Sequence, residues 1–319
     1  MVISVLMAAL CFALAAGTAA ADPAVWRAEW PATDFSRHAV PYEEIRSGGP
    51  PKNGIPAIDR PRFVEADKAD GFADREPVIR LAIGEDVRAY PLAVLIWHEI
   101  VNDTVGGVPV VVTYCPLCNA AIVFDRRVDG RALDFGTTGK LRHSDLVMYD
   151  RQTESWWQQF TGEAIVGSMT GRRLTMLPAR VESFGRFRAT VPQGKLLVPS
   201  EPDLRRYGIT PYAGYDGTAW PFLFDGEYRE AIPPLAYVVV VGDEAWPLDL
   251  LRERRRIVSG DLELVWEPGL ASALDAAVIA EGRDLGAVTV WRGGAEAVHD
   301  TSFAFAFRAF HPDGILHSE

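Results

Sequence analysis

The chain has 319 residues, 48% of them hydrophobic, enough to bury one large core or two moderate ones without disulfide staples. Its net charge of −11 at pH 7 lacks the basic footprint that holds phosphate backbones, which argues against nucleic acid as a partner. Only three cysteines are present, Cys11, Cys115 and Cys118.

In chain order, residues 2–17, VISVLMAALCFALAAG, form an unbroken run of apolar and small residues, with alanines at 19 and 21 placed for an A-x-A cleavage before Asp22. This predicts a signal peptide over 1–21 and a periplasmic or secreted, soluble mature protein. No later run approaches the ~18 apolar residues of a membrane span. No Lys or Arg precedes the apolar run, so an uncleaved anchor is the alternative, and Leu10 before Cys11 is too large for a lipoprotein site. Residues 22–75, containing SGGPPKNGIPAIDRPRF, are rich in Pro, Gly and charge and predict an extended segment lying over the body.

From residue 76 strand-like runs dominate. PVIRLAI, VPVVVTY, AAIVFDR, DLVMYD, LAYVVVV and AVTVW carry the β-branched and aromatic enrichment of strands and are bounded by Gly, Asp and Asn turns. The best helix candidate starts at Pro91, with Leu92, Leu95 and Ile96 on one face. RERRR at 252–256, flanked by Asp249 and Asp261, reads as a solvated helix face. The predicted class is mainly β, a β-rich α+β fold with few short helices.

Comparing the chain with itself adds an organising feature. GEDVRAYPLAVL at 84–95 and GDEAWPLDLL at 242–251 share acidic residues after a Gly, then Ala, an aromatic, Pro and Leu. This predicts two diverged pseudo-repeat lobes, a first over 76–200 and a second over 201–319. Carried forward, TYCPLC at 113–118 falls opposite VWEPGL at 265–270, where the aromatic and the proline persist and both cysteines are gone. The fold unit therefore does not require the thiols.

Chemistry concentrates around that pair. A C-x-x-C disulfide closes a very short loop and stabilises little. In an oxidising compartment the spacing points to thiol/disulfide redox chemistry, with Pro116 restricting the turn, Cys115 as nucleophile and Cys118 resolving. The alternative is a binding module that holds copper or zinc, or a small ligand, through Cys115 and Cys118 without catalysis. Haem attachment is excluded because Asn119, not His, follows Cys118.

Nearby, WHEIVND at 97–103 places His98 and Glu99 at the end of the predicted helix and Asn102 and Asp103 in the turn that follows. HEIVN lacks the second histidine of a zinc-protease H-E-x-x-H. His98 and Asp103 are read as catalytic partners of the thiols, and His98 as a ligand in the metal alternative. On the strand after Ser144, alternation puts Asp145, Val147 and Tyr149 on one face and Leu146, Met148 and Asp150 on the other, and Met148 offers a soft thioether that would favour Cu(I) over Zn. GTTGK is not a phosphate loop: it lacks the upstream glycine and the Ser or Thr after Lys140. The expected partners are an unknown small molecule, a metal or a thiol.

The ordered strings SGGPPKNGIPAIDRPRF, AYPLAVLIWHEIVNDTVGGVPVVVTYCPLCNAAIVFDR and FGTTGKLRHSDLVMYDRQTESWWQQFTGEAIVG resemble the bacterial and archaeal family known as domain of unknown function 3179, over roughly residues 42–315. The motifs that carry the resemblance are His98, Glu99, Asn102, Asp103, Cys115, Pro116, Cys118, Met148, Tyr149, Asp150 and Arg151, while His143 stands where the family pattern fixes no residue type. The resemblance implies no particular reaction or ligand.

Overall fold

Strands form where β-branched residues cluster, and they end where glycine allows a left-handed turn. A computed structural model describes residues 23–318; the predicted signal peptide and Cys11 lie outside the described residues. The N-terminal segment gives β1 (Ile45–Ser47) and β2 (Arg62–Glu65). The hairpin β3 (Pro77–Ile83) and β4 (Asp86–Pro91) runs into a single turn, α1 (Leu92–Leu95), and then the meander β5 (Ile100–Val105), β6 (Val108–Cys115) and β7 (Ala120–Asp125). A ribbon, β8 (Arg127–Val128) and β9 (Arg131–Ala132), leads to a second meander, β10 (Phe135–Arg142), β11 (Asp145–Asp150), β12 (Trp156–Gln158) and β13 (Ala164–Val166). β14 (Thr175–Met176) rejoins β7, and β15 (Ala179–Ser183), α2 (Phe184–Thr190) and β16 (Lys195–Val198) follow. After a long irregular strap over 199–236 come β17 (Tyr237–Val241), β18 (Glu244–Pro247), α3 (Leu248–Arg254), β19 (Arg256–Ser259), β20 (Leu262–Glu267), β21 (Ala287–Arg292), β22 (Ala295–Glu296), β23 (Asp300–Phe303), α4 (Ala304–Phe310) and β24 (Ile315–Leu316).

These strands make five sheets of four or five strands, arranged like a propeller, with few short helices between them. The duplication is visible in the pairing. The order β15-β3-β4-β16 recurs as β23-β17-β18-β24, and each sheet contains one parallel pair, β4 with β16 and β18 with β24. Gly84 and Gly242 turn the first hairpin of each lobe at the same φ of +60°, and Pro91 and Pro247 each precede the helix. A second trace of the duplication went unread in the sequence: Phe187-Arg188-Ala189 with Pro192, Gly194 and Leu196 matches Phe307-Arg308-Ala309 with Pro312, Gly314 and Leu316 across α2 and α4. A small cavity of about 20 Å³ between the lobes is lined by the equivalent pairs Leu92 and Leu248, and Val181 and Thr301.

Two expectations change in detail. Asn102 and Asp103 lie within β5, not in a turn, because α1 stops after one turn and Glu99, at φ +58°, reverses the chain so that Ile100 and Val101 already pair with β6. The N-terminal segment is more than a cover: β1 extends the sheet of β10, and Trp30 and Phe35 bury against Trp156 in a core of their own. Gly139, at φ +71°, lets the bulged strand β10 pass the Pro50 carbonyl where any Cβ would collide. Among the described residues no helix is long and apolar enough to cross a membrane.

Candidate functional site

The buried run Val110 to Tyr114 drives β6 through the core and delivers Cys115 at its end. Asn119, at φ +51°, accepts the left-handed conformation that closes the turn, and its N–H donates to the Pro116 carbonyl at 3.2 Å. The chain returns as a strand, with Ala120 paired to Cys115. Both cysteines are therefore held at one hairpin end, free of a disulfide and buried, Cys115 2% exposed and Cys118 fully enclosed.

A second hairpin end meets them. His143 and Ser144 both have positive φ, as a two-residue turn matched to strand twist requires, and Arg142 pairs with Asp145 across it. The turn places the Ser144 carbonyl 3.6 Å from Cys115 Sγ and the His143 carbonyl 4.0 Å from Cys118 Sγ. It also brings Asp145 in. One ligand-type atom from each of Cys115, Cys118 and Asp145 lies within 4.8 Å of the others.

Asp145 is fully buried. Its Oδ2 accepts from Gln158 Nε2 at 2.6 Å and from the Phe160 N–H at 2.9 Å. Its Oδ1 is buried with no hydrogen bond of ordinary geometry, although the Cys115 thiol is near enough to favour the charged form. Burial nonetheless prevails and pushes the carboxyl up to about 7. Glu99 is pushed up to about 8, by burial first and then by the charge of Asp145. Asp300, reaching in from the second lobe on β23, is raised well above the carboxylate range by the same two causes, and its Oδ1 is also buried and unpartnered. Burial pushes both thiols up as well. Five acids thus share one buried region, and none of them has a Lys or Arg partner among the described residues.

The residues singled out in the sequence divide. Cys115 and Cys118 are together at the centre. His98 contributes no atom to the group: its Nδ1 meets the Pro56 carbonyl at 2.8 Å and its Nε2 the Tyr207 hydroxyl at 2.9 Å, so both ring nitrogens are occupied. Asp103 is committed elsewhere, accepting from Arg88 Nη1 at 2.8 and 2.9 Å and from the Tyr90 hydroxyl at 2.7 Å. It pairs with Val110, at the other end of β6 from Cys115, on the order of 16 Å along the strand. Met148 is fully buried in the main core, and alternation along β11 turns it to the face opposite Asp145. Glu99 and Asp300 escaped the sequence reading as site residues. Asp145 was placed on its strand face but not joined to the thiols, since only the meeting of two hairpin ends far apart in sequence does that.

The strap roofs the site. The Tyr215 hydroxyl donates to the Leu117 carbonyl, between the cysteines, at 3.0 Å and accepts from the Phe222 N–H, while Ser144 Oγ donates to the Phe222 carbonyl. Tyr212 is near enough to Glu99 and Cys115 that both add to burial in raising its hydroxyl.

Fold and site together define a mainly β, two-lobed, propeller-like protein with a buried dithiol–carboxyl centre. The chain belongs to the family described as Protein of unknown function (DUF3179), which it matches over residues 52–314. No curated protein and no solved structure matches it significantly.

Proposed function

We propose that this protein is a binding module for a thiophilic metal cation, held by the Cys115 and Cys118 thiolates and the Asp145 carboxylate. One observation carries the reading: five buried acids share one region with no Lys or Arg partner among the described residues. Burying a charge is costly unless it is paired or coordinated to a metal, so a site of this kind is stable either protonated throughout or around a cation. Cation binding would displace the protons and supply the missing charge. Two sulfurs with a carboxylate oxygen suit zinc, whose tetrahedral sites mix these donors, whereas copper(I) favours soft donors throughout. Export, expected from the N-terminal segment, would make this a periplasmic or secreted metal carrier or metal-stabilised protein.

A second reading is favoured by the mutual approach of the two sulfurs: a dithiol that passes two electrons and two protons to a disulfide partner. Burial and raised thiol pKa values weigh against it, because the thiolate is the attacking species and must reach its partner.

Elemental analysis with thiol titration separates the two. One metal per chain with both thiols masked until a chelator is added is the expected result. Thiols that appear only after reduction, in a protein that takes up neither zinc nor copper, would replace it with the redox reading.

A further inference from the structure

We propose that a cleft on the second lobe binds a small zwitterion with an apolar body, of the kind an apolar α-amino acid presents, through Arg252, Arg283 and Asp216. The cleft lies between the strap, the start of α3 and the loop that precedes β21, and it encloses about 390 Å³. That falls within the roughly 300–1,000 Å³ of small-molecule sites. No residue lining it belongs to the dithiol–carboxyl centre, so the inference stands apart from the metal reading. The two places nevertheless share one turn of the strap: Asp216 lines the cleft, and Tyr215 beside it roofs the cysteines.

Asp216 is the buried acid of the cleft. Its Oδ2 accepts from the Tyr237 hydroxyl and from Ser272 Oγ, each at 2.7 Å, and pairs with Arg283 Nη2 at 2.8 Å. All three partners crowd the one oxygen, and Oδ1 is buried with no hydrogen-bond partner among the described residues. An acceptor left unmatched in this way is costly, and an ammonium group would match it. The two arginines are half-exposed and held in place from behind. Arg283 Nη1 meets Asp275 at 3.1 Å, while Arg252 meets Asp249 at 3.2 Å and donates to the Asp284 carbonyl at 2.7 Å. Each guanidinium has five N–H donors, so both keep donors for a carboxylate, whose shape the planar fork matches. Ile232, Leu235, Pro247 and Leu285 supply apolar wall for the body between the two charges. On the lining Asp216 and Asp249 balance Arg252 and Arg283, so a ligand of no net charge enters without burying an unpaired one. The internal duplication supplies the control. One and four residues after the equivalent Leu92 and Leu248, the first lobe has Ala93 and Ile96 where the second has Asp249 and Arg252. Ala93 and Ile96 are buried, so the fold unit closes this place with apolar side chains and does not require the charges.

The test is titration calorimetry on the full chain with leucine, with isocaproate, which lacks the ammonium, and with isopentylamine, which lacks the carboxylate. Leucine should bind wild type, and each half-ligand should bind about tenfold or more weakly than leucine. Arg252→Gln removes a carboxylate donor at the rim and should weaken leucine by a similar factor. Ile232→Trp fills the cleft, leaves every charge in place and should abolish binding. Arg254→Gln, exposed on α3 and outside the lining, should change nothing. Thermal melts establish that each variant is folded before affinities are compared, and if Arg252→Gln fails that check Ile232→Trp decides. Wild type that does not bind leucine overturns the proposal, as does leucine binding that survives undiminished in folded Arg252→Gln or Ile232→Trp. A half-ligand that binds as tightly as leucine overturns the zwitterion.

Discussion

Asp145 and Glu99, pushed up to about 7 and about 8 by burial, make the metal-free protein sensitive to pH in a direction opposite to ordinary salt-bridged carboxylates. Between about pH 4 and 8 the unfolded chain releases protons that the folded chain retains, so stability falls as pH rises through that window. Metal-free protein should melt lower at pH 8 than at pH 5.5, and Asp145→Asn should flatten the difference; a melting temperature that rises over that range would contradict the burial argument. The thiols make a separate claim. Because the second lobe ends the equivalent strand at Glu267, with Leu270 in the connection that follows and no thiol at either place, replacing Cys115 and Cys118 by Ser together should cost only about 1–2 kcal/mol in urea unfolding and abolish metal uptake. A variant that fails to fold would mean that the pair is structural. Single residues also mark where sequence reasoning worked. Cys115 and Cys118 stood out by their scarcity and spacing, whereas Glu99 looked like the minor neighbour of His98, since nothing local says which of two adjacent side chains turns inward.

Elements set the site by how they end. α1 is the helix that Pro91, Leu92 and Leu95 announce, cut to a single buried turn, and its brevity is what turns Glu99 inward and Ile100 into a strand. The runs PVIRLAI and DLVMYD were legible as β3 and β11 because their apolar, β-branched character is local. β10 was not, since FGTTGKLR carries two glycines and pairs through a bulge. The strap is the element that governs access. It rests on the site through polar contacts at Tyr215, Ser144 and Phe222. Tyr215→Phe removes the bond to the Leu117 carbonyl, worth about 1 kcal/mol. Metal-free Tyr215→Phe should therefore react with a small disulfide reagent about fivefold faster than wild type, with melting nearly unchanged. Equal rates would show that the thiols are reached by some route other than lifting the strap.

At the scale of the molecule, the lobes are not separable bodies. One core runs from Ile79 and Tyr90 of the first lobe to Phe303 and Phe305 of the second, and β23 lies against β7. The Phe303 N–H donates to the Cys118 carbonyl at 2.9 Å, and Asn119 Nδ2 donates to the Thr301 carbonyl at 3.2 Å, so the second lobe buttresses the cysteine turn directly. A fragment of residues 201–319 alone should therefore lack a cooperative melt, and the full chain should unfold in one transition. Two resolved transitions, or a folded fragment, would show that the shared core contributes less than its extent implies.

Local composition was enough to fix the mainly β class, the duplication and the cysteine pair, because strand propensity, turn glycines and repeated strings are written within short windows. The composition of the buried centre was decided elsewhere. Asp145 and Asp300 reach the thiols from β11 and β23, and Asp103, which looked the better partner from its closeness in sequence, is carried down β5 to Arg88 and Tyr90. A β-strand of six residues is about 20 Å long, so residues close in sequence are carried to its opposite ends while residues from different hairpins meet at one end.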